Sequence, residues 1–424
     1  MIYTTSTFKT EWIPDLIPKM LNWSTQFNIF CLLNSNNYTL KHSEWQLLFA
    51  ADPAFTLELT DYDFALPLKQ FSEKHPGWIF GHLNYPSATK DKIAFSNGYF
   101  FIPKILIQVK ENELIISTHV SNPDLIFNEI KETPVLIEDN NSDVKLNSEM
   151  SKAEYCEAIK AVKEHLQQGD CYELNFCQSF FAEQAQINPF LLYQNLIKVS
   201  PSPFSTFYRI NDKFCISASP ERFLKKKGDV LISQPIKGTS KRDLKDTKKD
   251  SLAIQYLKES EKEISENVMI VDLVRNDLSK VSARGSVSVE ELMGIYSFPQ
   301  VHQMISTITG KLDESFHWTD AIDACFPMGS MTGAPKKKVM ELIATYEKTP
   351  RGLFSGSIGY IDPCGDFDFN VIIRSYFYDA QSGYLLVKAG GGITIKSDPE
   401  QEYEESLLKV EVLKKLLESP KSEK

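Results

Sequence analysis

Over the first third of the chain, apolar and polar residues alternate in short runs. Phe27 to Leu33 and Tyr99 to Val109 carry the period of two that places alternate side chains on one face of a sheet. They predict strands with a few helices between them. Residues 133–150 break the pattern with Asp, Asn and Ser, which predicts a surface connection. That connection divides an N-terminal subdomain, residues 1–150, from the remainder, residues 151–424.

At residue 151 the period lengthens. Ser151 with Glu154 three places on has the form of a capping box. Tyr155, Ile159, Val162 and Leu166 then fall on one stripe, and Gly169 closes the helix. Strand-like runs follow at 171–180, 204–210 and 214–218. The lysine-rich stretch 240–250 reads as a solvated loop or mobile lid. Residues 251–268 read as a helix leading into the apolar run Val268 to Val274. From 353 to 395 the pattern is a meander. Ser357 to Ile361, Phe369 to Phe377 and Tyr384 to Lys388 are strands, joined by turns at Cys364-Gly365 and Gln381-Ser382-Gly383. A last helix opens at Asp398-Pro399, with Tyr403, Leu407, Val410, Leu413 and Leu417 as its stripe. Hairpin-joined strands among isolated helices favour an antiparallel-rich α+β architecture over a doubly wound sheet.

Composition narrows the function classes. The 424 residues suffice for two or three average domains or one large unit, and the net charge is −10. An acidic surface serves neither phosphate tracking nor attachment to anionic lipid, so nucleic-acid and membrane partners are not expected. A locally basic pocket for a small anion remains compatible. The seven cysteines form no CxxC pair, which reads as reduced thiols. No signal-peptide pattern opens the chain, and no apolar run reaches the ~20 residues that span a bilayer. The expected location is the cytoplasm.

Four groups carry candidate chemistry. Glu263 and Glu266 share a helix face, and Glu402 and Glu405 repeat that spacing on the last helix. Oxygen-only donors from two helices suit Mg²⁺, although acidic helix pairs are more often solvated faces. No histidine spacing suggests zinc. Gly390-Gly391-Gly392 follows a strand and either lets backbone amides approach a ligand carboxylate or marks a bulge. The stretch Gly329 to Lys336 fails the spacing of a phosphate loop, and Pro335 interrupts it. Arg374 stands in the apolar run Val371-Ile372-Ile373-Arg374, where its guanidinium needs either a substrate carboxylate or a structural ion pair. Lys237, in Pro235-Ile236-Lys237-Gly238-Thr239, is either an exposed turn lysine or a nucleophile. Glu221, sixteen residues earlier, is a carboxylate able to act as its general base.

Taken in order, seven segments resemble the chorismate-binding enzyme family. They are Ser217 to Phe223, Pro235 to Thr239, Glu266 to Asp277, Gly329 to Lys336, Gly356 to Tyr360, Ile373 to Ser375, and Ala389 to Gly392. The likeness runs from about residue 151 to 418. Leu32 to Ser35 and Gly81 to Tyr85 resemble its looser N-terminal landmarks. The family contains synthases of anthranilate, aminodeoxychorismate, isochorismate and salicylate. Lys237, Asn267 and Pro203-Phe204-Ser205 are most similar to its aminodeoxychorismate synthase component I branch, because anthranilate synthases carry a small residue at the place of the lysine.

The resemblance implies an α/β sandwich of two large, mostly antiparallel sheets with outer helices, the two halves of the chain intertwined. It implies that chorismate and ammonia become 4-amino-4-deoxychorismate, on the way to para-aminobenzoate and folate, through a covalent adduct on Lys237. It implies Glu266 and Glu405 as direct Mg²⁺ ligands, with Glu263 and Glu402 acting through water. Gly238, Thr239, Tyr360, Arg374 and the amides of Gly390, Gly391 and Gly392 would bind substrate. No glutaminase cysteine motif is visible, so ammonia is expected from a separate class I glutamine amidotransferase subunit. Anthranilate synthase component I is the nearest alternative. A non-catalytic chorismate-binding regulatory protein is the remote one, and it would need Glu266, Glu405, Arg374 and Lys237 to be degraded. One departure stands out. The family's histidine near the leaving C4 hydroxyl aligns with Gln303, and His302 lies one place earlier, pointing oppositely on a strand.

Overall fold

The period of two along Ile29–Asn34 shows how the sheets are laid down. Phe30 and Leu32 enter one core and Cys31 the other, so both faces of the strand are covered. The computed structural model describes residues 3–9, 13–38, 41–111, 113–135 and 143–418. Every named strand pair in it is antiparallel.

One sheet runs Glu173–Ala182, Tyr384–Ile393, Ser375–Asp379, Lys213–Ser219, Phe204–Ile210, Ile29–Asn34, Leu47–Leu59 and Gly98–Lys110. The first half of Gly98–Lys110 then continues into a second sheet. Its order is Ile79–Leu83, Ser357–Ile361, Phe367–Asn370, Arg222–Lys227, Val230–Gln234 and Val301–Lys311. Ile236–Lys241 and Ser288–Ser297 flank the last of these. Two 13-residue strands, Leu47–Leu59 and Gly98–Lys110, therefore belong to both sheets, and their register shifts between Pro53 and Phe55. A bulge of this kind bends a strand sharply enough to turn one sheet onto the other. Hydrogen bonding also crosses residue 150, since Ile29–Asn34 pairs with Phe204–Ile210 and Ile79–Leu83 with Ser357–Ile361.

The inter-sheet core takes Tyr208, Cys215 and Phe377 from the first sheet and Phe80, Phe100, Leu224 and Phe369 from the second. The outer face of the first sheet, with Phe49, Phe207 and Tyr376, is covered by helices Ile13–Trp23, Pro123–Glu132, Pro189–Val199 and the end of Pro399–Leu417. Helices Lys152–Gln168 and Lys336–Tyr346 close a third cluster over Leu174 and Phe176.

Helix Lys152–Gln168 forms as its sequence indicates. Ser151 and Glu154 make the reciprocal box, the predicted four residues are buried, and Gly169 takes a left-handed φ of 81°. Three expectations need correction. The segment 251–268 is two helices, Thr247–Glu259 and Glu261–Ser279, which meet at Ser260 as cap of both, and Val268 to Val274 lies within the second. The strand read from Phe369 to Phe377 is broken, with Phe367–Asn370 and Ser375–Asp379 in different sheets. The connecting backbone is held elsewhere. The N–H of Val371 donates to the carbonyl of Glu221, and the N–H of Ser355 to that of Ile372. Finally, the last meander strand extends to Ile393 and so includes all three glycines. Residues 136–142 of the connection at 133–150 lie outside the described residues.

Candidate functional site

The site forms where strand Ile236–Lys241, the start of strand Glu173–Ala182, the glycine end of strand Tyr384–Ile393 and helix Glu261–Ser279 converge. Pairing of Ile236–Lys241 with Val301–Lys311 loses register between Ile236 and Thr239. Lys237 and Gly238 occupy that irregularity, Gly238 at a φ of 94°. The left-handed backbone explains the glycine. So does the space, since a Cβ there would lie 3.1 Å from Oε2 of Glu263. Asn267 steadies the kink. Its Nδ2 donates to the carbonyl of Lys237 at 3.4 Å, and its Oδ1 accepts from the Ser306 hydroxyl at 2.6 Å.

The Lys237 side chain is buried and its ammonium pairs directly with the Glu173 carboxylate. Gly392 lies over this pair. A Cβ on Gly392 would be 2.7 Å from Oε1 of Glu173, 2.8 Å from Nζ of Lys237 and 3.4 Å from Oε2 of Glu266. Burial disfavours the Lys237 charge, but Glu173 and Glu266, with Glu221 beyond them, hold its pKa above the ordinary lysine value. Lys237 therefore rests as an ammonium, and acting as a nucleophile requires it to give up that proton.

Glu221 is fully enclosed next to this pair. Burial pushes its carboxyl up to about 7, against hydrogen bonds from the Ser330 hydroxyl and Ile236 amide and the charges of Lys237 and Arg374. Glu266 is likewise pushed up to about 7, first by burial and further by Glu173 and Glu263, with Lys237 and Lys262 opposing. Two carboxyls that exchange protons near neutrality beside one lysine suit acid–base work.

Arg374 sits in the break between strands, at a left-handed φ of 52°. Such backbone is uncommon and costly in a non-glycine residue. Its guanidinium makes no hydrogen bond or ion pair among the described residues. Glu221 alone supports its charge from a distance, and burial lowers its pKa. An unpaired, half-buried guanidinium is a ready fork for an incoming carboxylate.

The glycine strand supplies amides, though not all three. The N–H of Cys177 donates to Oε1 of Glu347 at 2.9 Å and that of Asn175 to the carbonyl of Thr332 at 2.8 Å, both away from the glycine strand. Their partners Gly390 and Gly392 are thus the non-hydrogen-bonded pairs of the ladder, and their N–H groups face its open edge. Gly391, opposite Phe176, turns its N–H into the ladder. The expectation of three free amides is corrected to two.

The four glutamates gather on the open side. Lys262 bridges Oε1 of Glu266 at 3.9 Å and Oε1 of Glu402 at 3.3 Å, and Lys409 pairs with Oε1 of Glu405 at 2.8 Å. Burial raises the pKa of Glu263, while adjacent Lys409 lowers that of Glu405. Oε1 of Glu266 is buried without a hydrogen-bond partner. A buried carboxylate oxygen that no donor hydrogen-bonds, with only the more distant Lys262 ammonium facing it, fits a hard divalent cation. As the side chains stand, no three metal-binding groups are already gathered among the described residues.

Not every predicted residue arrives here. Thr239 is on the same strand but exposed. Tyr360 is a correction. It lines a separate cavity with Asn34, Ser35, Trp45, Phe204 and Asp368, and its ring packs on Trp78 and Phe80. Its place in the middle strand of three, between Ile79–Leu83 and Phe367–Asn370, puts it there. His302 points away as expected. Its Nε2 meets Oδ1 of Asp250 at 3.0 Å and its Nδ1 meets the Ser297 hydroxyl at 2.8 Å, fixing helix Thr247–Glu259. Gln303 is buried with an unpartnered Oε1. Sequence reasoning missed Glu173. Its signal was a lone carboxylate in the apolar run Cys171 to Phe180.

A family model of chorismate binding enzymes matches residues 36–415. Aminodeoxychorismate synthase component 1 of Salmonella typhimurium is 42% identical over 263 residues, which cover 62% of this chain and 57% of that protein. The chain thus spans under three-fifths of that relative's length. The anthranilate synthase component I-like protein of Synechocystis is 32% identical over 362 residues, covering 81% of this chain and 73% of that one. Among solved structures, anthranilate synthase component I from Streptococcus pneumoniae superposes with a TM-score of 0.77 at 24% identity, covering 89% of this chain and 93% of the other. That likeness is one of fold.

Proposed function

Since the chain belongs to the family of chorismate-binding enzymes, we propose that it converts chorismate and ammonia to 4-amino-4-deoxychorismate for para-aminobenzoate and folate synthesis. The observation that carries the choice of product is the buried Lys237, paired with Glu173 beneath Gly392 and flanked by Glu221 and Glu266. Burying a lysine charge is costly, and here it is held beside three carboxylates, Glu173, Glu266 and Glu221, two of which are pushed up to about 7 and so are suited to exchange its proton. The similarity to aminodeoxychorismate synthase component 1 supports the same choice.

The residues divide the work. Arg374 and the outward amides of Gly390 and Gly392 orient the carboxylates of the substrate. Lys237 passes its proton to Glu221, whose pKa of about 7 suits both uptake and release. The freed amine bonds to C2, the ring double bonds shift, and the C4–O bond breaks. The hydroxyl leaves as water, taking the proton from Glu221. Ammonia then bonds to C4, the double bonds shift back, and the C2–N bond to Lys237 breaks, restoring the amine. Glu266 and Glu405, with Glu263 and Glu402 behind them, would hold Mg²⁺, which would neutralise the ring carboxylate of the substrate. Ammonia would come from a glutamine amidotransferase partner. Among the described residues no helix is long and apolar enough to cross a membrane, in keeping with a cytoplasmic setting.

Chorismate, Mg²⁺ and ammonium supplied to the protein should give no fluorescent anthranilate. Adding an aminodeoxychorismate lyase should then release para-aminobenzoate. Anthranilate as the main product would overturn this assignment and select the alternative.

A further inference from the structure

The cluster of Glu263, Glu266, Glu402 and Glu405 is not left bare. The ammonium of Lys262 stands between Glu266, four residues on in its own helix, and Glu402 on helix Pro399–Leu417. Among the described residues this contact is the ion pair that links those two helices. Lys262 also feels Glu405, so three of the four carboxylates share it. Lys409 differs. It is fixed by the Gly390 carbonyl at 2.8 Å as well as by Glu405 on its own helix. Lys237 is committed to Glu173. Lys262 has no backbone anchor among the described residues and, unlike the buried Lys237, its side chain remains 39% exposed. Its four-carbon stem therefore has a path into water.

We propose that Lys262 is a resident counter-ion, holding the two glutamate-bearing helices together in the metal-free protein and moving out to solvent as a divalent cation takes its place. This rests on the metal reading above. A cation of charge two and an ammonium cannot share the same oxygens without strong repulsion at such separations. Binding is then an exchange, and the affinity for metal is weaker than the carboxylates alone would give. The metal-free cluster in turn stays folded, because its charges are never uncompensated.

The test is calorimetric titration of MgCl₂ into the chelator-treated full chain, together with thermal unfolding in chelator. Lys262→Met should bind Mg²⁺ about tenfold more tightly than the unaltered protein. Its unfolding midpoint should fall in chelator and recover at saturating Mg²⁺. Lys262→Gln covers a failure of the methionine variant to fold, and should shift affinity the same way. Equal or weaker Mg²⁺ binding by the variants, with normal binding by the unaltered chain, overturns the exchange alone. A lowered midpoint with unchanged affinity does the same, since it marks a purely structural ion pair. No Mg²⁺ binding by the unaltered chain overturns both the exchange and the metal reading.

Discussion

Arg374 combines a left-handed backbone with a guanidinium that no neighbour pairs. Both features cost stability, and both are accounted for if a carboxylate arrives with the substrate. Arg374→Ala should lower kcat/KM for chorismate about 100-fold, on the order of 3 kcal/mol, through loss of a buried charge pair. Its unfolding midpoint should be unchanged or raised, because no internal partner is lost. A large fall in stability with intact kinetics would mark a structural arginine. Glu221 gives a prediction in pH. Its folded value near 7 lies above the ordinary 4.5, so the folded state holds the proton more tightly than the unfolded chain. Its contribution is full below about pH 4.5 and lost as pH rises through 7. Glu221→Gln should therefore stabilise the protein at pH 8 by up to roughly 3 kcal/mol and have little effect at pH 4.5. Unfolding midpoints at the two values check this. The sequence marked both residues as unusual. It could not show that Arg374 is unpaired, because pairing depends on segments distant in the chain.

At the scale of elements, legibility followed local signals. Ser151 to Gly169 reads completely because cap, stripe and stop all lie within one helix. The junction at Ser260 was missed although Ser260 with Glu263 has the spacing of a helix start, because no glycine or proline marks it. The break before Ser375 was invisible, since Val371 to Ile373 stay apolar and only the carbonyls of Glu221, Gly356 and Val371 divert their backbone. In the last helix Glu402 and Ser406 are buried while Tyr403 is not fully so, which turns the acidic pair towards the glycine strand. That strand carries the sharpest test of packing. Gly392→Ala would place a methyl group within 3 Å of both partners of the Lys237–Glu173 pair. It should lower kcat by about 100-fold, as misplacement by an ångström does, with the cooperative unfolding transition retained. Wild-type turnover from this variant would mean that the pair is not where the chemistry occurs.

Across the whole molecule, antiparallel layers were legible from hairpins and short alternating runs, whereas the joining of the two sheets was not. The turn from one to the other rests on the two long strands and a register shift at Pro53, a pairing of residues about 50 apart that no local pattern reveals. Because Ile29–Asn34 lies between Leu47–Leu59 and Phe204–Ile210, residues 151–424 expressed alone should lack a cooperative unfolding transition, and co-expression with 1–150 should restore it. Folding of that fragment by itself would refute the interdependence. The same arrangement brings Glu173, Lys237, Glu266 and Gly392, spread over some 220 residues, around one amine. The most direct measurement is peptide mass spectrometry of the protein held with chorismate and Mg²⁺ but no ammonia source. The expected result is a chorismate-less-water adduct on Lys237 that ammonium discharges, and its absence from Lys237→Ala together with loss of turnover. An unmodified Lys237, with Lys237→Ala fully active, would contradict the account.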